Sequence, residues 1–353
     1  MGVRDLAAIW VYVADSGCRG YSPLYDRICR TVAESDEVLD LVSEAPPTGH
    51  NPVLLLAAVH YLLLGGLDHP LASVYAGESE ADPGPLFVDL CLSHRDSILE
   101  LLATEQVNTN EVGRSALIGP ALSTVASRFA APLGHVDVGC SAGLNLLCDR
   151  YRLDYGAAGA TGPVDAPVQI QCDVVGGSPP IAPGLPTIAA RVGLDREPLD
   201  VFDSRQMRWQ LACAWPDTGR LPRTRLAQEE ARRAQLELVR GDAIEDVGEL
   251  IARLPPEATA VVTTTWVVSY FSPEQRTVIR DALAAASESR PVAWISGDLP
   301  GVVDVIPTAG APSDGNGVEW GVLGLVTFRD GHAEPELLGY GHPHGSGLDW
   351  RAG

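Results

Sequence analysis

The sequence predicts an open α/β sheet with helices on both faces, preceded by a mostly helical domain. Three observations carry this. Residues 1 to 132 place apolar side chains at helical spacing and offer no succession of alternating strands. From about residue 134, short β-prone apolar runs alternate with helical patterns, as in a wound sheet. The change falls at "HVDVGCSAGLNLLCDRY", residues 135 to 151, where a strand candidate runs into a glycine turn. The expected domains are therefore 1–132 and 133–353.

In the first domain, "GYSPLYDRICRTVAESDEVLDLV" has helical spacing, with Pro23 early in the first turn. Asn51 followed by Pro52 is a helix start, because Asn caps free amides and Pro fits the first turn. "LSHRDSILELLATEQV" and "SALIGPALSTVASRFA" are two further helices. In the second domain "HVDV" is a short strand, and residues 141 to 151 are expected to form a helix. "GPVDAPVQIQCDVVGG" reads as an extended excursion, a hairpin, and "TIAARVGLD" as a strand followed by a helix over "SRQMRWQLACAW". "ELVRGDA" is strand then loop, with a helix over 243 to 254. "TAVVTTTWVV" is strongly β-prone and leads into "SPEQRTVIRDALAAA". There Ser272, Pro273 and Gln275 combine a cap, a first-turn proline and a capping box. "RPVAWIS" supplies another strand. Two antiparallel strands around Arg329-Asp330-Gly331 are expected at one edge of the sheet.

With 353 residues, 46% of them hydrophobic and 20% charged, the chain can bury a substantial core. The net charge of -21 repels phosphate backbones and anionic membranes, so neither nucleic acid nor a membrane is an expected partner. The arginines of "RTRLAQEEARRAQLELVR" are interleaved with acids and read as a solvated helix surface. Cysteines at 18, 29, 91, 140, 148, 172 and 213 form no CxxC pair, which points to reduced thiols and a cytoplasmic location. The start has no signal-peptide core. The most apolar run, "NPVLLLAAVHYLLLGGL", is interrupted by His60 and too short to span a bilayer. His60 itself reads as a hydrogen-bonded core histidine. A small molecule is the expected partner; neither its identity nor the oligomeric state is specified.

Two chemistries compete for residues 135 to 151. "GCSAG" fits G-x-S-x-G, which would make Ser141 the nucleophile of a serine hydrolase, with Asp298 or Asp304 and then His342 or His344 following in order. That turn belongs mid-sheet, after several strands and an oxyanion loop, whereas here it follows the first convincing strand. Alternatively the strand end binds a cofactor. Gly139 and Gly143 would let backbone amides approach a ligand, and Asp137 would accept a hydrogen bond from a cationic or amine-bearing group. The pattern is not G-x-G-x-x-G, an acid at the strand end opposes a pyrophosphate, and no P-loop occurs.

"DVGCSAGLNLL" resembles the first motif of the class I S-adenosylmethionine-dependent methyltransferases. The whole chain resembles a bacterial family of methyltransferase-like proteins, domain-of-unknown-function family 2332. The segments that carry this are "NTNEVGRSALIGP", "DVGCSAGLNLLCDRYRLDYG", "VGLDREPLDVFDSRQMRWQLACAWPD", "VRGDA", "SYFSPEQR" and "HPHGSGLDW". The resemblance implies a Rossmann-like methyltransferase sheet over 133–353 and S-adenosylmethionine as cofactor. Asp137, Gly139 and Gly143 would take the first-motif roles, with Ser141 where the middle glycine usually stands. Asp195 would be the ribose-binding acid, which requires an insertion around 156–190. Asp242 would lie near the adenine; the plainer reading leaves both acids as surface loop residues. The resemblance implies that a histidine often stands at the end of the fourth strand, where this chain has Thr264, which leaves open a non-catalytic cofactor-binding or regulatory protein.

Methyl transfer from a sulfonium needs an in-line approach, exclusion of water and, for many acceptors, a base, but no metal. The helical domain would serve as substrate domain or lid. In "QVNTNEVGR", Asn110, Glu111 and Arg114 would share a helix face and recognise a carboxylate-bearing or zwitterionic substrate, with Arg114 as anion partner. The equal alternative is an internal salt-bridge and capping network that docks the two domains. Trp266 and Tyr270, four apart beyond the fourth strand, are substrate-facing candidates, with core packing as the alternative. His342 and His344 lack partners at metal-ligand spacing, so no metal is expected. His344 is the candidate base, with Glu111 and Tyr270 as further catalytic candidates. The expected activity is methyl transfer to an oxygen, nitrogen or carbon atom of a small molecule.

Overall fold

The computed structural model describes residues 3–129, 131–308 and 318–353. By internal contacts the chain forms two compact units. The first is built from Met1–Thr109 and Phe202–Arg225, the second from Asn110–Val201, Leu226–Asp314 and Glu319–Gly353. Helix Ser115–Phe129, which lies before the expected boundary at 132, thus belongs with the sheet, and helix Ser204–Ala212 with the helical unit.

The helical unit follows its start signals. Ser22, Ser35, Asn51 and Asp82 each accept a hydrogen bond from a first-turn amide, opening helices Pro23–Ala33, Asp36–Glu44, Pro52–Leu64 and Pro83–Ser93. The long pattern from Gly20 to Val42 is two helices rather than one. Ser35 adopts extended backbone angles and caps Val38, which ends one helix and begins the next. His60 is buried and hydrogen-bonded through Nδ1 to the Ala212 carbonyl at 3.1 Å. Burial pushes its pKa down to about 4, so it is a neutral core residue.

The second unit carries a nine-stranded, mostly parallel sheet. In chain order the strands are β1 (Leu133–Val138), β2 (Asp173–Gly176), β3 (Ile188–Asp195), β4 (Glu237–Arg240), β5 (Thr259–Thr265), β6 (Val292–Asp298), β7 (Gly321–Arg329), β8 (His332–Gly341) and β9 (Gly347–Trp350). Their spatial order is β2-β9-β8-β7-β6-β5-β1-β3-β4. Strands β4, β3, β1, β5 and β6 are parallel, and β7, β8 and β9 follow antiparallel. The β7–β8 pair forms as expected around Asp330 and Gly331 but is not an edge, because β9 and then β2 continue the sheet beyond it. The excursion before β3 is also richer than a hairpin. Ala160–Thr161 and Gln169–Gln171 flank Arg152–Asp154 in a separate three-stranded sheet.

The expected helix over 141 to 151 is instead a run of 3-10 turns, Leu144–Arg150, broken at Leu147. Side chains take the carbonyls that an α-helix would use. Tyr151 donates its hydroxyl to Leu144 O at 2.7 Å, and Arg191 donates to Leu146 O at 3.2 Å. Helix Pro273–Ala286 does start with the expected capping box, Gln275 N to Ser272 Oγ at 3.3 Å and Ser272 N to Gln275 Oε1 at 2.9 Å. Ser272→Ala should cost about 1 kcal/mol in urea unfolding; no measurable loss would mean the box is not formed in solution.

Alternation along the strands separates two chemically different faces. Val136, Val138, Val192, Leu194, Ala260 and Val262 join an apolar core with helices Ala243–Arg253 and Pro273–Ala286. The other face carries His135 and Asp137 on β1, in register with Arg191 and Gly193 on β3 and with Val261 and Thr263 on β5. Arg191 pairs there with both oxygens of Asp149 at 3.0 Å.

Candidate functional site at the carboxyl end of β1

Strand β1 lies between β3 and β5, and the chain order runs outward from it to β4 on one side and to β9 on the other. The carboxyl ends at such a switch point are where open α/β sheets bind ligands. The turn that leaves β1 is tightly determined. Gly139, Ser141 and Gly143 have φ of 73°, 52° and 73°. A Cβ on Gly139 would lie 2.7 Å from Val267, and one on Gly193 would lie 2.5 Å from the Cys140 sulfur, so both positions demand glycine.

The amides of this turn already have acceptors. Gly139 N and Cys140 N donate to Leu194 O at 2.8 and 3.3 Å, and Ser141 N donates to Asp195 Oδ2 at 2.7 Å. Asp195 Oδ1 accepts from Glu197 N at 2.9 Å. Asp195 therefore sits at the end of β3 as the turn's own anion. Asn110 braces the same turn, donating Nδ2 to Cys140 O at 3.1 Å and accepting from Leu144 N at 3.3 Å. Asp242 caps helix Ala243–Arg253 through Ile244 N and pairs with Arg196 at 2.9 Å.

Asp137 is only 2% exposed. Its Oδ1 accepts the Thr263 hydroxyl at 2.7 Å, and Thr263 Oγ1 lies 2.9 Å from His135 Nε2. The single hydroxyl proton goes to the carboxylate, so Thr263 accepts from His135 Nε2–H. Burial pushes the Asp137 pKa up to about 7, with the charge of Asp195 adding to the rise while the Thr263 bond and Arg114 oppose it. Burial, with Arg191 nearby, pushes His135 down to about 3, so it is neutral.

The residues of "QVNTNEVGR" do not share a helix face. Residues 105–111 lie outside any helix, and Val112–Arg114 is a single 3-10 turn capped by Glu111, whose Oε1 accepts from Gly113 N at 2.8 Å. Arg114 is buried and ties this turn to two other segments, donating Nε to Pro343 O and Nη1 to Thr265 O, each at 3.0 Å. Its guanidinium lies 4.5 Å from the Trp266 ring centroid. Glu111 Oε2 lies 3.5 Å from His344 Nδ1, and His344 N donates to His342 Nδ1 at 3.2 Å. Asn110, Glu111 and Arg114 thus form an internal network within the second unit. Each reaches its own partners across loops, Asn110 at the glycine turn and Glu111 and Arg114 at the segment 342–344, and helical spacing sets none of these contacts.

Trp266 follows β5 with φ of 55°, and its ring covers Gly297 and Gly321. Tyr270, at 84% exposure, points to solvent. Thr264 is buried and accepts from Trp294 Nε1 at 2.8 Å. Asp298 accepts from Ser269 N and Leu299 N, and Asp304 pairs with Arg280 at 3.3 Å. A shallow depression lies at the end of β6, lined by Ser296, Asp298, Gly301 and Val322 among others. The sequence reading missed His135, Thr263 and the Cys140–Gly193 packing. Its available signal was the pair of polar residues two apart in "HVDV", which share one strand face.

Among the described residues no cluster of three or more His, Cys, Asp or Glu could hold a metal, and no helix is long and apolar enough to cross a membrane. No curated protein matches the chain significantly. Residues 10–350 match the family described as "Uncharacterized protein conserved in bacteria" (DUF2332), and with nearly its whole length inside that match, the chain belongs to this family.

Proposed function

We propose that the chain is an S-adenosylmethionine-dependent methyltransferase acting on a small molecule. The observation that carries this reading is the Asp137 carboxyl at the carboxyl end of β1. One oxygen is fixed by Thr263, and the other has no hydrogen-bond partner among the described residues. A buried carboxylate so placed favours a ligand that brings a cation or an N–H donor, and the sulfonium and ammonium of S-adenosylmethionine fit that demand. A nucleotide phosphate does not, because Leu194 O already takes the amides of Gly139 and Cys140 and the Asp195 carboxylate that of Ser141.

In this reading β4-β3-β1-β5-β6 form the core of a Rossmann-like methyltransferase sheet. Asp137, Gly139, Ser141 and Gly143 hold the cofactor's amino-acid end. Asp195 offers its remaining lone pairs to ribose hydroxyls, and Asp242 stands toward the adenine. When bound, S-adenosylmethionine supplies an electrophilic methyl group. Trp266, held by Arg114, gives an acceptor a flat wall, and His344 beside Glu111 is the candidate proton acceptor. Asn110 serves this site by shaping the glycine turn rather than by touching substrate.

Calorimetry with S-adenosylmethionine and S-adenosylhomocysteine tests the reading. Saturable binding to the wild type and its loss in Asp137→Ala are expected. Stripped wild-type protein that binds neither compound, with or without candidate acceptors, would overturn the reading. Fluorophosphonate labelling of Ser141 in the same preparation would instead support a serine hydrolase. Binding without turnover of any acceptor would indicate a regulatory protein.

A further inference from the structure

The half-satisfied carboxyl of Asp137 has a consequence for how the site takes its ligand. We propose that the empty site holds a proton on Asp137, and that entry of a cationic group displaces this proton and takes its place. The inference rests on the methyltransferase reading above and adds to it a ligand-coupled protonation.

The argument begins with geometry. The groups facing Asp137 are Thr263 from β5, His135 from its own strand, Asp195 from β3, Arg114 from the turn Val112–Arg114, and the thiols of Cys140 and Cys148. Burial holds both thiols protonated and His135 uncharged. Among the described residues, the charged neighbours are thus one carboxylate and one guanidinium of opposite sign. Arg114 is shared with two backbone carbonyls, and Asp195 is fixed by two amides. Among the described residues, only Oδ1 of Asp137 receives a protein donor. An ionised carboxylate at 2% exposure with one oxygen undonated is costly, and binding a proton relieves that cost. A titration point near 7 follows from the same burial.

A sulfonium or ammonium removes the reason for holding the proton, since it pairs with the ionised form. The proton leaves to solvent, and no other bond changes. Affinity for a cationic ligand then scales with the ionised fraction of Asp137. It should rise about tenfold between about pH 6 and about pH 8 and level off above that.

Infrared difference spectroscopy on the full chain reads the proton directly. The empty protein at about pH 6.5 should show a protonated-carboxyl C=O band that is missing in Asp137→Asn. Adding S-adenosylmethionine should abolish the band, and calorimetry on the wild type should give the tenfold rise. The same loss with S-adenosylhomocysteine would assign the cation to the ammonium; loss with S-adenosylmethionine alone would assign it to the sulfonium. Ligand that binds while the band persists, or an empty protein without the band, overturns the inference and leaves the methyltransferase reading standing. Absence of binding at every pH overturns that reading itself.

Discussion

Replacing Asp137 with Asn is expected to stabilise the folded protein at pH 8, by up to on the order of 4 kcal/mol, and to change it little near pH 4. The carboxyl titrates at about 7 when folded against an ordinary value of 3.8. Between these limits the folded state binds more protons than the unfolded chain, so wild-type stability falls as pH rises. The loss is complete once pH passes the folded pKa. Each tenfold change in proton affinity is worth about 1.4 kcal/mol, which sets the upper limit. Asn preserves an oxygen that can accept from Thr263 and cannot ionise, so its unfolding free energy lacks this slope. Urea unfolding of both proteins at several pH values measures the difference. A constant difference from acid to neutral pH would show that Asp137 is solvated or fully paired in solution.

Gly345→Ala should destabilise the second unit by about 3 kcal/mol or more, placing it among the severe single substitutions. Gly345 has φ of 71°, and a Cβ there would overlap the backbone of Gly113. Neither chain segment can yield by rotating a side chain. The loop carrying His342 and His344 would have to lift away from the turn Val112–Arg114, separating His344 from Glu111. Gly331→Ala is the matched control, because φ is 78° but nothing lies within 4 Å of the added carbon. It should cost only the backbone penalty of about 1 kcal/mol. Equal melting temperatures for the two variants would show that the loop is not packed against the turn.

Local chemistry made much of the fold legible. Ser272-Pro273 and Asn51-Pro52 announced their helices because a cap and a first-turn proline act within a few residues. The alternation of "HVDV" gave β1 its two faces, and "TAVVTTT" could hardly be anything but a strand. What the sequence concealed depends on partners distant along the chain. Nothing near Leu144 tells that Arg191 and Tyr151 will take its segment's carbonyls, so an α-helix was the natural expectation. Glu111 and Arg114 suggested a helix face, yet their partners at 265, 343 and 344 lie far along the chain. Asp137 stood out as an acid at a strand end, but Thr263, which joins it to His135, comes beside them only when β5 pairs with β1. Arg191 and Asp149, likewise, are joined only by the sheet.

If the proposed cofactor binds at the glycine turn, the carboxylate of Asp195 there also bears on competition between ligands. Adenine nucleotides share the base and sugar of S-adenosylmethionine and differ chiefly in carrying phosphates. A phosphate brought to Ser141 N would compete with a carboxylate already 2.7 Å from that amide. Two unit charges of like sign at about 4 Å repel by roughly 4 kcal/mol near a protein surface, about a thousandfold in occupancy. On the proposed methyltransferase reading, the turn would sort adenosyl compounds by charge, refusing phosphates as well as holding the right ligand.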